Sequence, residues 1–211
     1  PKTIKKLIWV GPFVLNKAAK AFKSRMSKRL WVIGSNKITG ISIEESFKNL
    51  IRLLDKHLEV RPYIFGARPS IADFALWGHI YNANNDVTAN DFIQRHAPKL
   101  NDWIIRMIDP KEKGGFEEWH ELKPTLLPLI KEEVSEVFLP WVTANNDAVK
   151  NNKDELSITL KGRPFEHKVT SVQRFHTKSF GLLMEHYKTV SQDQELKKTL
   201  VEAGAEGYLN A

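Results

Sequence analysis

The sequence predicts a mostly α protein: a helical bundle with one small β-hairpin near residues 155–169. Three observations carry this. Apolar side chains recur three and four residues apart through most of the chain. Ser70 and Asp73 have the spacing of a helix cap in front of a stretch that is apolar almost all round. Only Glu155–Lys161 alternates apolar and polar residues with period two.

Residues 3–10 and 12–33 read as helical, interrupted at Gly11-Pro12, and residues 34–40 as a polar turn. Ser42 and Glu45 have capping-box spacing, and behind them Phe47, Leu50, Ile51, Leu54 and Leu58 fall on one face. That helix stops before Pro62, because the residue preceding a proline avoids the α region. Asp91–Ile108 is the next helical unit, divided at Pro98, with Leu100, Trp103, Ile104 and Met107 inward. Residues 124–151 read as one long helix with Pro128 and Pro140 inside the pattern, a start expected near the first and a kink or break near the second. Leu156, Ile158 and Leu160 mark a strand. Gly162-Arg163-Pro164 turns, and residues 165–169 return. Residues 171–190 are helical, with Phe175, Phe180, Leu183, Met184 and Tyr187 as the inward face. A short helix over 192–203 and a tail over 204–211 complete the chain.

Composition excludes several classes. Hydrophobic residues make up 42% of the 211, too many for a disordered chain. There is no cysteine, which removes disulfides, thiolate catalysis and cysteine zinc sites, and a cytoplasmic location is the expectation. No apolar run has the length a membrane span needs. The net charge of +7 is uneven: residues 1–37 hold ten Lys or Arg and no Asp or Glu. We read that segment as a helix face with its acidic partners upstream, rather than as a nucleic-acid site, because its aromatic residues have core spacing. The seven histidines are scattered without metal-ligand spacing, so no metal site is expected. There is no nucleophile elbow and no phosphate-cradling glycine loop.

In Ser70-Ile71-Ala72-Asp73, the serine is the expected N-cap and the aspartate the third helical residue. Each satisfies a backbone donor of the other, and the carboxylate sits at the positive end of the helix dipole. Ile71, Ala72, Phe74, Ala75, Leu76, Trp77, Gly78 and Ile80 are apolar or small almost all round, as in a helix at the centre of a bundle. Asp73 is therefore read as a structural cap rather than an acid–base group.

The stretch RPYIFGARPSIADFALWGHIY, Arg61–Tyr81, resembles the segment of glutathione S-transferases in which a Phe-Gly turn and Pro-Ser-x-Ala-Asp open the central helix of the C-terminal domain. Gly66 matches the turn glycine, and Ser70 and Asp73 match the capping box. Pro69 stands where the family has a branched aliphatic staple residue. Ala97-Pro98-Lys99-Leu100, Trp103 and Met107 are similar to the following family helix, and Ser42–Leu58 to the preceding one. Residues 125–190 resemble the C-terminal extension of a bacterial subgroup. The resemblance implies a glutathione S-transferase C-terminal-like helical domain over 1–150 and an extension, hairpin plus helices, over 151–211.

In this family glutathione is bound mainly by an N-terminal thioredoxin-like half with its own catalytic Tyr, Ser or Cys, and no counterpart of that half is visible here. The resemblance thus implies the electrophile-site domain of a glutathione-conjugating parent acting on small hydrophobic molecules, with glutathione a cofactor of the parent only. The catalytic residues are unassigned, and the chain by itself is expected to be inactive. Phe13, Trp77 and Tyr81 are the candidate electrophile-pocket residues. Dimers are common in the family, which makes a homodimer an expectation. The alternative reading is a non-catalytic protein-interaction or RNA-associated docking module.

Overall fold

The computed structural model describes residues 30–209 and, before them, positions 16, 17, 20, 21, 24 and 25, which are helical. The remainder of the helices expected over 3–10 and 12–33, with Phe13, lies outside the described residues. A 3-10 turn, Leu30–Ile33, leads into α1, Gly40–His57. Helices α2 (Ile71–Asn84), α3 (Val87–His96) and α4 (Pro98–Arg106) follow. Then come α5 (Trp119–Leu129), a π-helical stretch (Ile130–Phe138) and α6 (Leu139–Lys150). Strands β1 (Glu155–Leu160) and β2 (Arg163–Lys168) precede α7 (Ser171–Val190), α8 (Gln194–Ala203) and α9 (Glu206–Leu209). Among the described residues the protein is mostly α with one two-stranded antiparallel sheet.

Helix α1 begins three residues earlier than its Ser42–Glu45 spacing suggests. Asn36 Oδ1 accepts from the backbone N–H of Ile38 (2.7 Å) and Thr39 (3.0 Å), while Thr39 Oγ1 accepts from Asn36 N–H and donates to Gly34 O. This closed turn delivers the chain into helix at Gly40. Ser42 then lies within the first turn with its hydroxyl buried and without a partner among the described residues, and Glu45 pairs with Arg163 at 2.9 Å instead. The expected face is inward: Ile51, Leu54 and Leu58 are buried, and Phe47 and Leu50 pack beside them.

Asp73 caps α2 and reaches beyond it. Its carboxylate accepts from Ser70 N–H (2.9 Å), Ser70 Oγ (2.7 Å), Ile64 N–H (2.9 Å) and Trp103 Nε1 (3.0 Å), and the residue is fully buried. The rest of α2 departs from expectation. Only Asp73 and Ile80 are buried on it, whereas Ile71 and Phe74 are 87% and 52% exposed. Among the described residues, α3 and α4 cover one side of the helix, and its all-round apolarity did not say which.

The unit expected from Asp91 starts at Val87, because Asp86 caps it through Thr88 and Ala89 N–H. Pro98 does divide it. Asp55, on α1, accepts from Lys99 and Leu100 N–H and so caps α4 from another element. The long helix starts at Trp119, five residues before Pro124, because Glu118 and Glu121 form a capping box. Pro124 and Pro128 both lie inside it, and no break occurs at Pro140. The chain widens into π turns between those prolines instead: Leu139 N–H donates to Val134 O, five residues back. A wider turn moves the carbonyls that a proline ring would strike.

The hairpin turns one residue earlier than expected, at Lys161 (φ 46°) and Gly162 (φ 76°). Two consecutive positive φ angles match the twist of a tight hairpin. Arg163 and Pro164 thus belong to β2, opposite Leu160 and Thr159, where a proline is tolerated because both strands are edges. On α7 the buried stripe runs through Gln173, Phe180 and Met184, so Phe175 (65% exposed) and Leu183 (43%) fall off it. Gln173 opens this stripe because it boxes with the N-cap Thr170 and donates to Val32 O. The expected tail holds α9, after Gly204 closes α8 in the left-handed conformation.

Two cores result. One joins α1, α2, α3 and α4 around Ile51, Leu54, Ile93, Leu100 and Trp103. The other joins α6, α7 and α9 around Leu139, Val142, Phe180 and Ala205.

Two variants test this account. Asp73→Ala leaves buried donors on three elements unpaired and is expected to cost about 3–5 kcal/mol in urea unfolding. Gly66 has φ +121°, and a Cβ there would meet Glu117 N at 2.8 Å and Gly115 O at 3.0 Å. Gly66→Ala is expected to cost at least about 2 kcal/mol in the same measurement.

Candidate functional site

A cleft of about 1010 Å³ lies between α1, the π stretch, Trp141 of α6 and the hairpin. Its apolar walls include Ile43, Leu50, Val137, Phe138, Trp141 and Phe165. Such a volume, mostly apolar with a few placed polar groups, is the usual form of a small-molecule site.

The polar floor is built from α1 and the π stretch. Asn49 Nδ2 donates to Glu132 Oε2 (2.9 Å) and to Glu133 Oε1 (2.7 Å), and Ser46 Oγ donates to Glu133 Oε2. Lys161, from the hairpin turn, approaches Glu133 Oε1 at 3.5 Å. The serine and asparagine lie three residues apart on α1, so both face the acidic pair. The π turns carry Glu133, Val137 and Trp141 successively to the same cleft.

The structure scatters the other candidate residues. Trp77 and Tyr81 are brought together, with ring centroids 4.8 Å apart, and Trp77 Nε1 donates to Ile104 O at 3.0 Å. Neither lines the cleft. Ser70, Asp73 and Gly66 lie in the capped-helix region of the first core. Gly66 pairs with Tyr63 and with Phe116 in isolated bridges, which ties the loop before α5 to the turn before α2.

A buried network beside Gly66 was not anticipated. His57 Nε2 lies 2.7 Å from Ile64 O, so it carries the proton, and Nδ1 accepts from the Thr125 hydroxyl at 2.8 Å. Arg61 donates to Thr125 Oγ1, His57 O, Glu121 O and Glu117 Oε2. Burial holds His57 below its ordinary pKa of 6.5, with the Arg61 charge adding to the effect against the opposing Ile64 hydrogen bond. The network pins α1 to α5. It does not open on the cleft, and we read it as structural. Among the described residues no group of His, Cys, Asp or Glu is placed to hold a metal, and no helix is long and apolar enough to cross a membrane.

The family model for the glutathione S-transferase C-terminal domain matches residues 20–106 of this chain. It covers α1 to α4 and the capping box. Comparison with curated proteins and with solved structures returned no match.

His57 sets a pH dependence. Its native pKa is lowered, so below about 6.5 the unfolded chain binds the proton that the native protein refuses. Stability is expected to fall as pH drops from 7 through 6.5 towards the native pKa, by at most about 1.4 kcal/mol per pH unit from this residue. Urea unfolding from pH 7.5 to 5.5 measures the slope, which His57→Gln should flatten.

Proposed function

We propose that this chain is the electrophile-site part of a glutathione S-transferase-like protein and that its cleft holds a small hydrophobic molecule. The observation that supports this is the cleft itself: about 1010 Å³, walled by aliphatic and aromatic side chains over a hydrogen-bonded polar floor. The glutathione S-transferase C-terminal domain at 20–106 gives the class, since the parent chemistry joins a glutathione thiolate to an apolar electrophile. A cytoplasmic location, a homodimer and a division into 1–150 and 151–211 belong to the same proposal.

The floor of the cleft presents Glu132 and Glu133, which disfavours glutathione. Of the cations that line it, Arg163 pairs with Glu45, Lys161 with Glu133 and Glu136, and Lys48 with Glu44, while Arg52 lies over the Phe92 ring. A tripeptide with two carboxylates meets like charge there. Glutathione therefore belongs to the parent, and the residues of this chain bind and exclude water around the apolar partner.

The test is a titration with N-phenyl-1-naphthylamine, a neutral dye that fluoresces in apolar sites. Saturable binding is expected, weakened at least about tenfold by Val137→Trp, which fills the cleft. Absence of saturable binding, or binding indifferent to Val137→Trp, overturns the reading. No glutathione conjugation by the 211-residue chain alone is expected.

A further inference from the structure

Trp141 lines the cleft, but the group that fixes it lies outside. Its indole Nε1–H donates to His167 Nε2 at 3.0 Å. His167 is on β2, is 6% exposed, and lines a separate hollow of about 460 Å³ at the open end of the hairpin. Its Nδ1 lies 3.0 Å from Lys168 O, so Nδ1 carries the proton and Nε2 is left as the acceptor that the indole requires. The imidazole is itself held. Phe165 meets it edge-on at 5.8 Å, and Gly34 approaches so closely that a Cβ there would lie 3.4 Å from the ring. His176 of α7 packs edge-on against Trp141 at 5.1 Å. The indole is thus bonded at its one polar atom and braced by two imidazoles. A side chain ordered before binding need not be ordered by the ligand.

We propose that His167 is a positioning residue for the cleft: it sets the indole of Trp141 as a fixed aromatic wall, so that the cleft prefers flat aromatic ligands to aliphatic ones of equal carbon count. Phe138 and Phe165 add aromatic surface to the same cleft. This rests on the reading of the cleft as the ligand site and adds the ligand class and the residue that sets it. It also gives the hairpin a role, since β2 supplies both Phe165 in the cleft and His167 behind its wall.

The experiment compares dye binding and competition in wild type, His167→Gln and His167→Phe. Glutamine keeps an acceptor near the Nε2 position, and phenylalanine keeps the volume without one. His167→Phe should bind N-phenyl-1-naphthylamine about tenfold more weakly, and His167→Gln within about threefold of wild type. In wild type, naphthalene should displace the dye at lower concentration than decalin, and His167→Phe should narrow that gap. If Val137→Trp abolishes dye binding yet His167→Phe binds as wild type does, the positioning role is wrong and the cleft reading stands. If Val137→Trp has no effect, or wild type does not bind, both fall. Should His167→Phe not fold, wild type alone decides: the Trp141 indole N–H should exchange slowly with solvent by NMR and shift on adding dye. Rapid exchange, or no shift at saturation, overturns the proposal.

Discussion

Four hydrogen bonds converge on the Asp73 carboxylate, and they come from three parts of the first core. Ser70 supplies two and thereby starts α2. Ile64 supplies one and holds the turn before it. Trp103 supplies the fourth from α4. A buried carboxylate is costly unless its lone pairs are occupied, and here the helix N-terminus adds its dipole to four donors. The residue that starts α2 therefore also fixes the distance between the Ile64 turn and α4. The indole of Trp103, fully buried in the centre of that core, cannot turn without giving up this bond.

From the Ile64 turn the constraint passes to α1 and α5. Ile64 O takes the proton of His57, whose other nitrogen receives Thr125, and Arg61 closes the group onto Glu117. The long helix from Trp119 is thereby set against α1 before it reaches the cleft. Its prolines then shape it. Pro124 and Pro128 lack the N–H that an α-helix uses, yet the helix continues through π turns instead of ending. That continuity places Glu132 and Glu133 across from Ser46 and Asn49, so the floor of the cleft is a contact between the two helices.

Local spacing made part of this legible. The Ser70–Asp73 box lies within four residues, and the period-two run at Glu155 shows its own strand. The face of α1 was readable for the same reason. What lay beyond reach was long range or competitive. Trp103 is 30 residues from Asp73, and no periodicity announces that its indole ends there. Ser42 and Glu45 had the right spacing for a cap, but the Asn36–Thr39 turn captured the helix start first. The cleft was invisible because Asn49 and Glu132 are 83 residues apart. Trp141 and His167 sat in the sequence as an aromatic in a helix and a histidine in a strand, and only packing made them partners. The phase of α7 was misjudged because its buried stripe opens on a glutamine.

Helix α1 shows why the first core and the cleft separate in this chain. Its Ile51 and Leu54 belong to the first core, while Ser42, Ser46 and Asn49 face the cleft. The two sets lie on different sides of one helix, so a change on the cleft side need not disturb the capped core. Asp73 and its donors lie wholly on the core side, which is why the family signature identifies a fold device and not a ligand site. The cleft depends instead on elements outside the matched residues 20–106: the π stretch, α6 and the hairpin. The first core therefore lies almost wholly within the residues that the family model matches, and the cleft is completed by the residues that follow them, with α1 as the surface the two share.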